Sequence, residues 1–101
     1  MTSKQRAYLR GMANTMEPIV HIGKEGVTPG VVQQTWDALE ARELIKVAVQ
    51  RNAPYERTRD ACDALAEATH AEAVQVIGSK FVLYREAREA PHLLDGEGAP
   101  R

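Results

Sequence analysis

Apolar residues recur along this chain with two periods, and the alternation between them outlines seven elements. From Ser3 to Ala13 the pattern is helical: at about 100° per residue Tyr8, Leu9, Met12 and Met16 share one arc, while Arg6 and Arg10 point the other way. Ser3 is the expected cap. Pro18-Ile19-Val20-His21-Ile22 is short and β-branched, reading as a strand that enters a turn at Gly23-Lys24-Glu25-Gly26. Thr28 followed by Pro29 is a strong helix start. Beyond it Val31, Val32, Thr35, Trp36 and Leu39 face one way and Gln33, Asp37 and Glu40 the other, predicting a helix to about Ala41 with Trp36 in the core.

Glu43 to Val49 is nearly continuous in apolar character except for Lys46, as befits an interior strand covered on both faces. After a polar break at 50–54, a third helix is expected from about Pro54 to Thr69. Ala61, Cys62, Leu65, Ala68 and Thr69 line its inner side, and Glu56, Asp60, Asp63 and Glu67 form an acidic outer ridge. Val74–Ile77 and Lys80–Arg85, joined by Gly78-Ser79, spell a β-hairpin, because glycine supplies the positive φ of a two-residue loop. The order α-β-α-β-α-β-β predicts an α/β fold: a single compact domain over residues 1–89, with one four-stranded mixed sheet whose first two strands are parallel and last two antiparallel. Composition turns to Pro91, Asp95, Gly96, Gly98 and Pro100 after that, so 90–101 reads as a flexible C-terminal tail.

With 101 residues, 44% of them hydrophobic, the chain can build one core and not two. The apolar runs are far short of the roughly 20 residues that cross a bilayer, and no signal-peptide pattern follows the N-terminus, so the expected setting is the cytoplasm, with no membrane partner. Net charge is −1, without the basic excess that announces a nucleic-acid binder. The average hides an asymmetry. Residues 1–36 set Lys4, Arg6, Arg10 and Lys24 against Glu17 and Glu25, a net +2, whereas 37–72 set five bases against eight acids, a net −3. A polyanion is therefore expected near the first third of the chain.

No constellation for catalysis or metal binding emerges from spacing. His21, His70 and His92 do not pair on any element, and the single cysteine, Cys62, faces the apolar side of its helix as a structural thiol. No catalytic residue, metal site or cofactor is expected. Gly23-Lys24-Glu25-Gly26 is the stretch with a use beyond folding: bare backbone for close approach, one cation, and the N–H groups of the helix starting at Thr28-Pro29. That combination suits phosphate. The longer nucleotide-binding patterns are absent, which leaves the short Gly-x-x-Gly clamp of RNA recognition.

The turn Gly23-Lys24-Glu25-Gly26-Val27-Thr28, then Ala38-Leu39 ahead of Glu43-Leu44-Ile45-Lys46-Val47, then Val74-Gln75-Val76-Ile77-Gly78 and Val82-Leu83-Tyr84-Arg85, resemble in order and spacing the CRM domain (chloroplast RNA splicing and ribosome maturation), specifically its stand-alone bacterial YhbY-type members. The opening Ser3-Lys4-Gln5-Arg6 and Leu9-Arg10-Gly11-Met12-Ala13 is similar to the family's first helix. The resemblance implies a fold like the C-terminal domain of bacterial translation initiation factor three with an added N-terminal helix. It also implies a non-catalytic RNA-binding role in ribosome biogenesis, on large-subunit rRNA or its precursor, with ribosomal proteins as further partners and no DNA. It carries the RNA-binding role onto Gly23, Lys24, Glu25, Gly26 and Lys46. Thr28 and the i,i+4 pair Arg6 and Arg10 extend the candidate surface if the first helix lies near the turn. Glu25, an acid inside the clamp, departs from the pattern. Two other readings stay open: an adaptor that docks the acidic ridge on a basic partner, and a regulatory domain that holds a phosphorylated metabolite in the turn.

Overall fold

The computed structural model describes residues 1–89 and 91–94. In chain order they form α1 (Ser3–Ala13), β1 (Val20–Ile22), α2 (Pro29–Arg42), β2 (Leu44–Val49), α3 (Thr58–Thr69), β3 (Glu72–Ile77) and β4 (Lys80–Tyr84). The single mixed sheet has the order β1-β2-β4-β3, with β1 parallel to β2 and the other two pairings antiparallel. The expected architecture is therefore the observed one.

Two apolar layers hold it together, one on each face of the sheet. Val20, Ile22, Ile45, Val47, Phe81 and Leu83 meet Leu39 of α2 and Ala61, Cys62 and Leu65 of α3 on one side. Leu44, Val74, Val82 and Tyr84 meet Leu9 and Ala13 of α1 on the other. Strand alternation divides the residues: neighbours in β2 and β4 serve opposite layers. The single helix α1 covers only part of its face, and Lys46 stays half-buried there. The expectation that β2 is covered on both faces along its length is corrected accordingly.

Local chemistry sets the element ends. The cap of α1 is Thr2, not Ser3: Gln5 Oε1 accepts the Thr2 N–H at 2.8 Å while Thr2 Oγ1 accepts the Gln5 N–H at 3.1 Å. This reciprocal box needs an acceptor side chain three residues after the cap, and Arg6, three after Ser3, has none. At α2, Thr28 Oγ1 accepts the Val31 N–H at 3.1 Å and Pro29 fills the first helical position. Helix α3 starts four residues later than expected, because 54–57 remain a loop whose Pro54 and Tyr55 lie against Gly26. Ala68, assigned to its inner side, is exposed. Strand β3 begins two residues early, paired to Leu83 and Tyr84 and bulged between Ala73 and Gln75. The hairpin closes as expected, with φ +57° at Gly78.

Trp36 is at the rim rather than in the core. The Arg85 guanidinium sits 4.0 Å over its ring, and that of Arg88 4.9 Å. Arg85 also donates to the Thr69 carbonyl at 2.8 Å and to Glu40 at 3.0 Å, so it is structural.

Residues 91–94, assigned by composition to the tail, lie against the domain; Ala90 and 95–101 are outside the described residues. The anchor is Glu43, which is fully buried and has a positive φ of 64° between α2 and β2. Its carboxylate accepts the N–H groups of Ala87 at 2.7 Å, His92 at 2.7 Å and Leu93 at 2.8 Å, and His92 Nδ1 lies 3.2 Å away. Burial alone would raise its pKa, but three amides and His92 outweigh it and hold the group below the ordinary carboxylate value. Leu94 is thereby seated in the α1 layer.

Candidate nucleic-acid interface

The glycine tetrad folds into a tight turn closed by the Gly26 N–H donating to the Gly23 carbonyl at 3.0 Å, with Lys24 and Glu25 exposed at its corners. Gly26 is buried with φ +72°, and a Cβ there would lie 3.0 Å from the Tyr55 hydroxyl and 3.1 Å from Pro54 Cγ. No side chain suits that position. A Cβ at Gly23 would meet only the Gln50 side-chain oxygen, at 3.2 Å.

Several amides expected to serve a ligand are already engaged. Val27 N–H donates to the Tyr55 hydroxyl at 3.0 Å, Thr28 N–H to the Gly26 carbonyl at 3.1 Å, and Val31 N–H to Thr28 Oγ1. Among the described residues, the amides of Lys24 and Glu25 have no acceptor within the chain. The turn thus offers a corner, one ammonium and two outward N–H groups, while Gly26 belongs to its foundation.

Because β1 and β2 are parallel, the loops after both emerge at one end of the sheet, the place where ligands of such sheets gather. Gln50 N–H donates to the Ile22 carbonyl at 2.9 Å, Val49 N–H to Ser79 at 2.8 Å, and Thr58 Oγ1 to Gly78 at 2.8 Å. Loops 23–26 and 50–53 and the hairpin turn are so stitched into one edge. It displays Lys24, Arg51 and Lys80, all exposed and, among the described residues, in no ion pair; Glu25 and Glu56 are the acids on these loops. Arg51 and Lys80 were not expected here. The signal that finds them is topological: parallel strands align the end of 43–49 with the end of 18–22.

Of the other candidates, Lys46 lies on the α1 side of β2, half-exposed, and Arg10 is exposed in the last turn of α1. Arg6 is corrected. Its guanidinium donates to the carbonyls of Ala73 and Val74 and pins α1 to β3, at the opposite edge of the sheet from β1 and its turn. The first helix therefore does not bring Arg6 to the tetrad.

Two of the four acids of the ridge are paired with arginines, while Glu56 and Glu67 are exposed and, among the described residues, in no ion pair. Arg57 pairs with Asp60 at 3.0 Å and Arg59 with Asp63 at 3.2 Å, and Glu56 precedes the helix. The hydrogen bond from Arg57 holds the Asp60 carboxyl below its ordinary pKa. Cys62 is fully buried, and burial, helped by the Asp63 charge, pushes its thiol up to about 11, far from the thiolate a nucleophile needs.

Known proteins resemble this chain over most of its length. The probable RNA-binding protein YqeI of Bacillus subtilis (strain 168) is 42% identical, over 88% of this chain and 92% of its own length. An RNA-binding protein of Haemophilus influenzae is 39% identical, over 89% and 90%. The solution structure of SAV1595 from Staphylococcus aureus, provisionally assigned as RNA-binding, superposes with a TM-score of 0.75 at 46% identity, covering 88% of this chain and 92% of that one. A model of the CRS1 / YhbY (CRM) domain matches residues 1–85, and this chain belongs to that family.

Proposed function

We propose that this protein binds RNA without acting on it chemically, as a cytoplasmic assembly factor for large-subunit ribosomal precursors. The observation that carries the reading is the end of the sheet where Lys24 and Arg51, on adjoining loops, and Lys80, at the start of β4, stand exposed and, among the described residues, in no ion pair. Ammonium and guanidinium groups on tight loops contact phosphate oxygens, and the outward amides of Lys24 and Glu25 add donors for the same acceptors. Relatives named as RNA-binding support this choice over a phosphorylated metabolite. The pairing of Asp60 with Arg57 and of Asp63 with Arg59 weighs against an acidic adaptor.

With about four phosphate contacts, from Lys24, Lys46, Arg51 and Lys80, log affinity falls against log salt with a slope of roughly −3. Binding to an isolated oligonucleotide is then weak at physiological salt, and ribosomal proteins in the particle supply the remainder. Changing Lys24 to Glu tests the reading by sedimentation of cell extracts. The variant is expected to leave the large-subunit precursor fractions while its thermal midpoint stays at the wild-type value, since Lys24 makes no contact the fold uses. Unchanged co-sedimentation overturns the proposal.

A further inference from the structure

On the α1 side of the sheet, one row of side chains runs in register across all four strands: His21 of β1, Ala48 of β2, Lys80 of β4 and Ile77 of β3. The next row toward α1 holds Lys46, Val82 and Gln75. Val82 is buried under α1, but His21, Lys80 and Ile77 are exposed and Lys46, Ala48 and Gln75 only partly covered. Ile77 is 58% exposed, so the row ends on an uncovered aliphatic side chain. The row spans roughly 14 Å, three inter-strand spacings.

We infer that this uncovered half of the sheet, built by His21, Lys46, Ile77 and Lys80, is a second RNA-contacting surface that takes an extended single strand leaving the Lys24 edge. The inference rests on the RNA reading above and adds the form of RNA and the path it follows. Charge complementarity selects the occupant. Lys46 and Lys80 are diagonal neighbours on an antiparallel pair, about 7–8 Å apart, and no acid stands in either row. His21 adds a donor two residues along from Lys46 on the neighbouring strand. Shape excludes a duplex: α1, about 10 Å thick, rises beside the open rows and leaves a shelf with a wall. No Phe, Tyr or Trp lies in these rows and His21 is their single ring, so successive bases are not stacked as on aromatic-bearing sheets. The strand is held by its phosphates, with one base resting on Ile77.

The test titrates fluorescein-labelled oligouridylate, and separately an RNA duplex, against the full chain over a range of salt. Lys46→Gln with Lys80→Gln is expected to weaken oligouridylate binding and to flatten the salt slope by about 1.4, two single-strand contacts' worth. Ile77→Lys, at an exposed position, exchanges the base contact for a phosphate contact and is expected to steepen the slope by about 0.7. Thermal unfolding checks that each variant is folded. If the double variant and Ile77→Lys both titrate like wild type while Lys24→Glu loses binding, the shelf is not a contact surface and the reading of the edge survives on Lys24 and Arg51 alone, without Lys80. If these variants change self-association or duplex binding but not oligouridylate binding, the shelf serves another partner and the inference is wrong. Wild-type protein that binds neither RNA overturns both.

Discussion

Gly26 and Lys24 sit two residues apart and do different work. Gly26 carries the turn: its φ of +72° and the 3.0 Å approach of the Tyr55 hydroxyl both require the missing side chain. Replacing it with Ala is expected to destabilise the fold by about 2 kcal/mol. Tyr55→Phe, which strips the acceptor from the Val27 N–H, should cost about 1 kcal/mol. Urea unfolding reads both, and Gly23→Ala should be nearly silent because only the flexible Gln50 side chain opposes it. The tetrad's spacing is visible in the sequence, and so is its link to a helix start at Thr28. What stays hidden is that Tyr55, 28 residues beyond Val27, closes the turn and uses its amide. A pattern of local residue types cannot display a partner supplied by a distant loop.

At the scale of elements, periodicity locates the helices and strands well because each is amphipathic or β-branched over its length. It fails where a long-range contact decides the outcome. Strand β3 gains Glu72 and Ala73 from its pairing with Tyr84 and Leu83, not from propensity. Residues 91–94 look tail-like, yet Glu43 gathers the amides of His92 and Leu93 from 49 and 50 positions away. The pH dependence follows from that anchor. Folded Glu43 titrates below its ordinary value of 4.5, so its contribution is complete above that pH and is lost as pH falls through the lower folded value. Glu43→Gln leaves one amide oxygen to face three N–H donors and adds an NH2 group that none of them can accept. The expected cost is roughly 1–3 kcal/mol, with a shallower loss of stability below pH 4.5 than in wild type. Urea midpoints measured across the acid range check both, and equal acid slopes for the two proteins would assign the acid dependence to other carboxylates.

For the molecule as a whole, net charge misleads because it counts every cation alike. Among the described residues, five arginines are committed internally or to acids: Arg6 to the β3 carbonyls, Arg57 and Arg59 to Asp60 and Asp63, and Arg85 and Arg88 to Glu40. The cations left without such partners include Lys24, Lys46, Arg51 and Lys80, and the fold collects these at one end of the sheet and its adjoining face. A chain of net −1 thus presents a local positive field, since exposed charges beyond about 8–10 Å are screened at ordinary salt. Two reversals of equal formal charge separate the local from the global view. Glu25→Lys adds a cation at the exposed corner of the turn, whereas Asp63→Lys frees Arg59 on the outer side of α3. If total charge governs RNA affinity, both variants tighten binding alike. If the edge is the contact surface, Glu25→Lys tightens it and steepens the salt slope by about 0.7, while Asp63→Lys leaves the slope at its wild-type value. The second outcome is expected, because a phosphate responds to the charges within a screening length of it and not to the sum over the molecule.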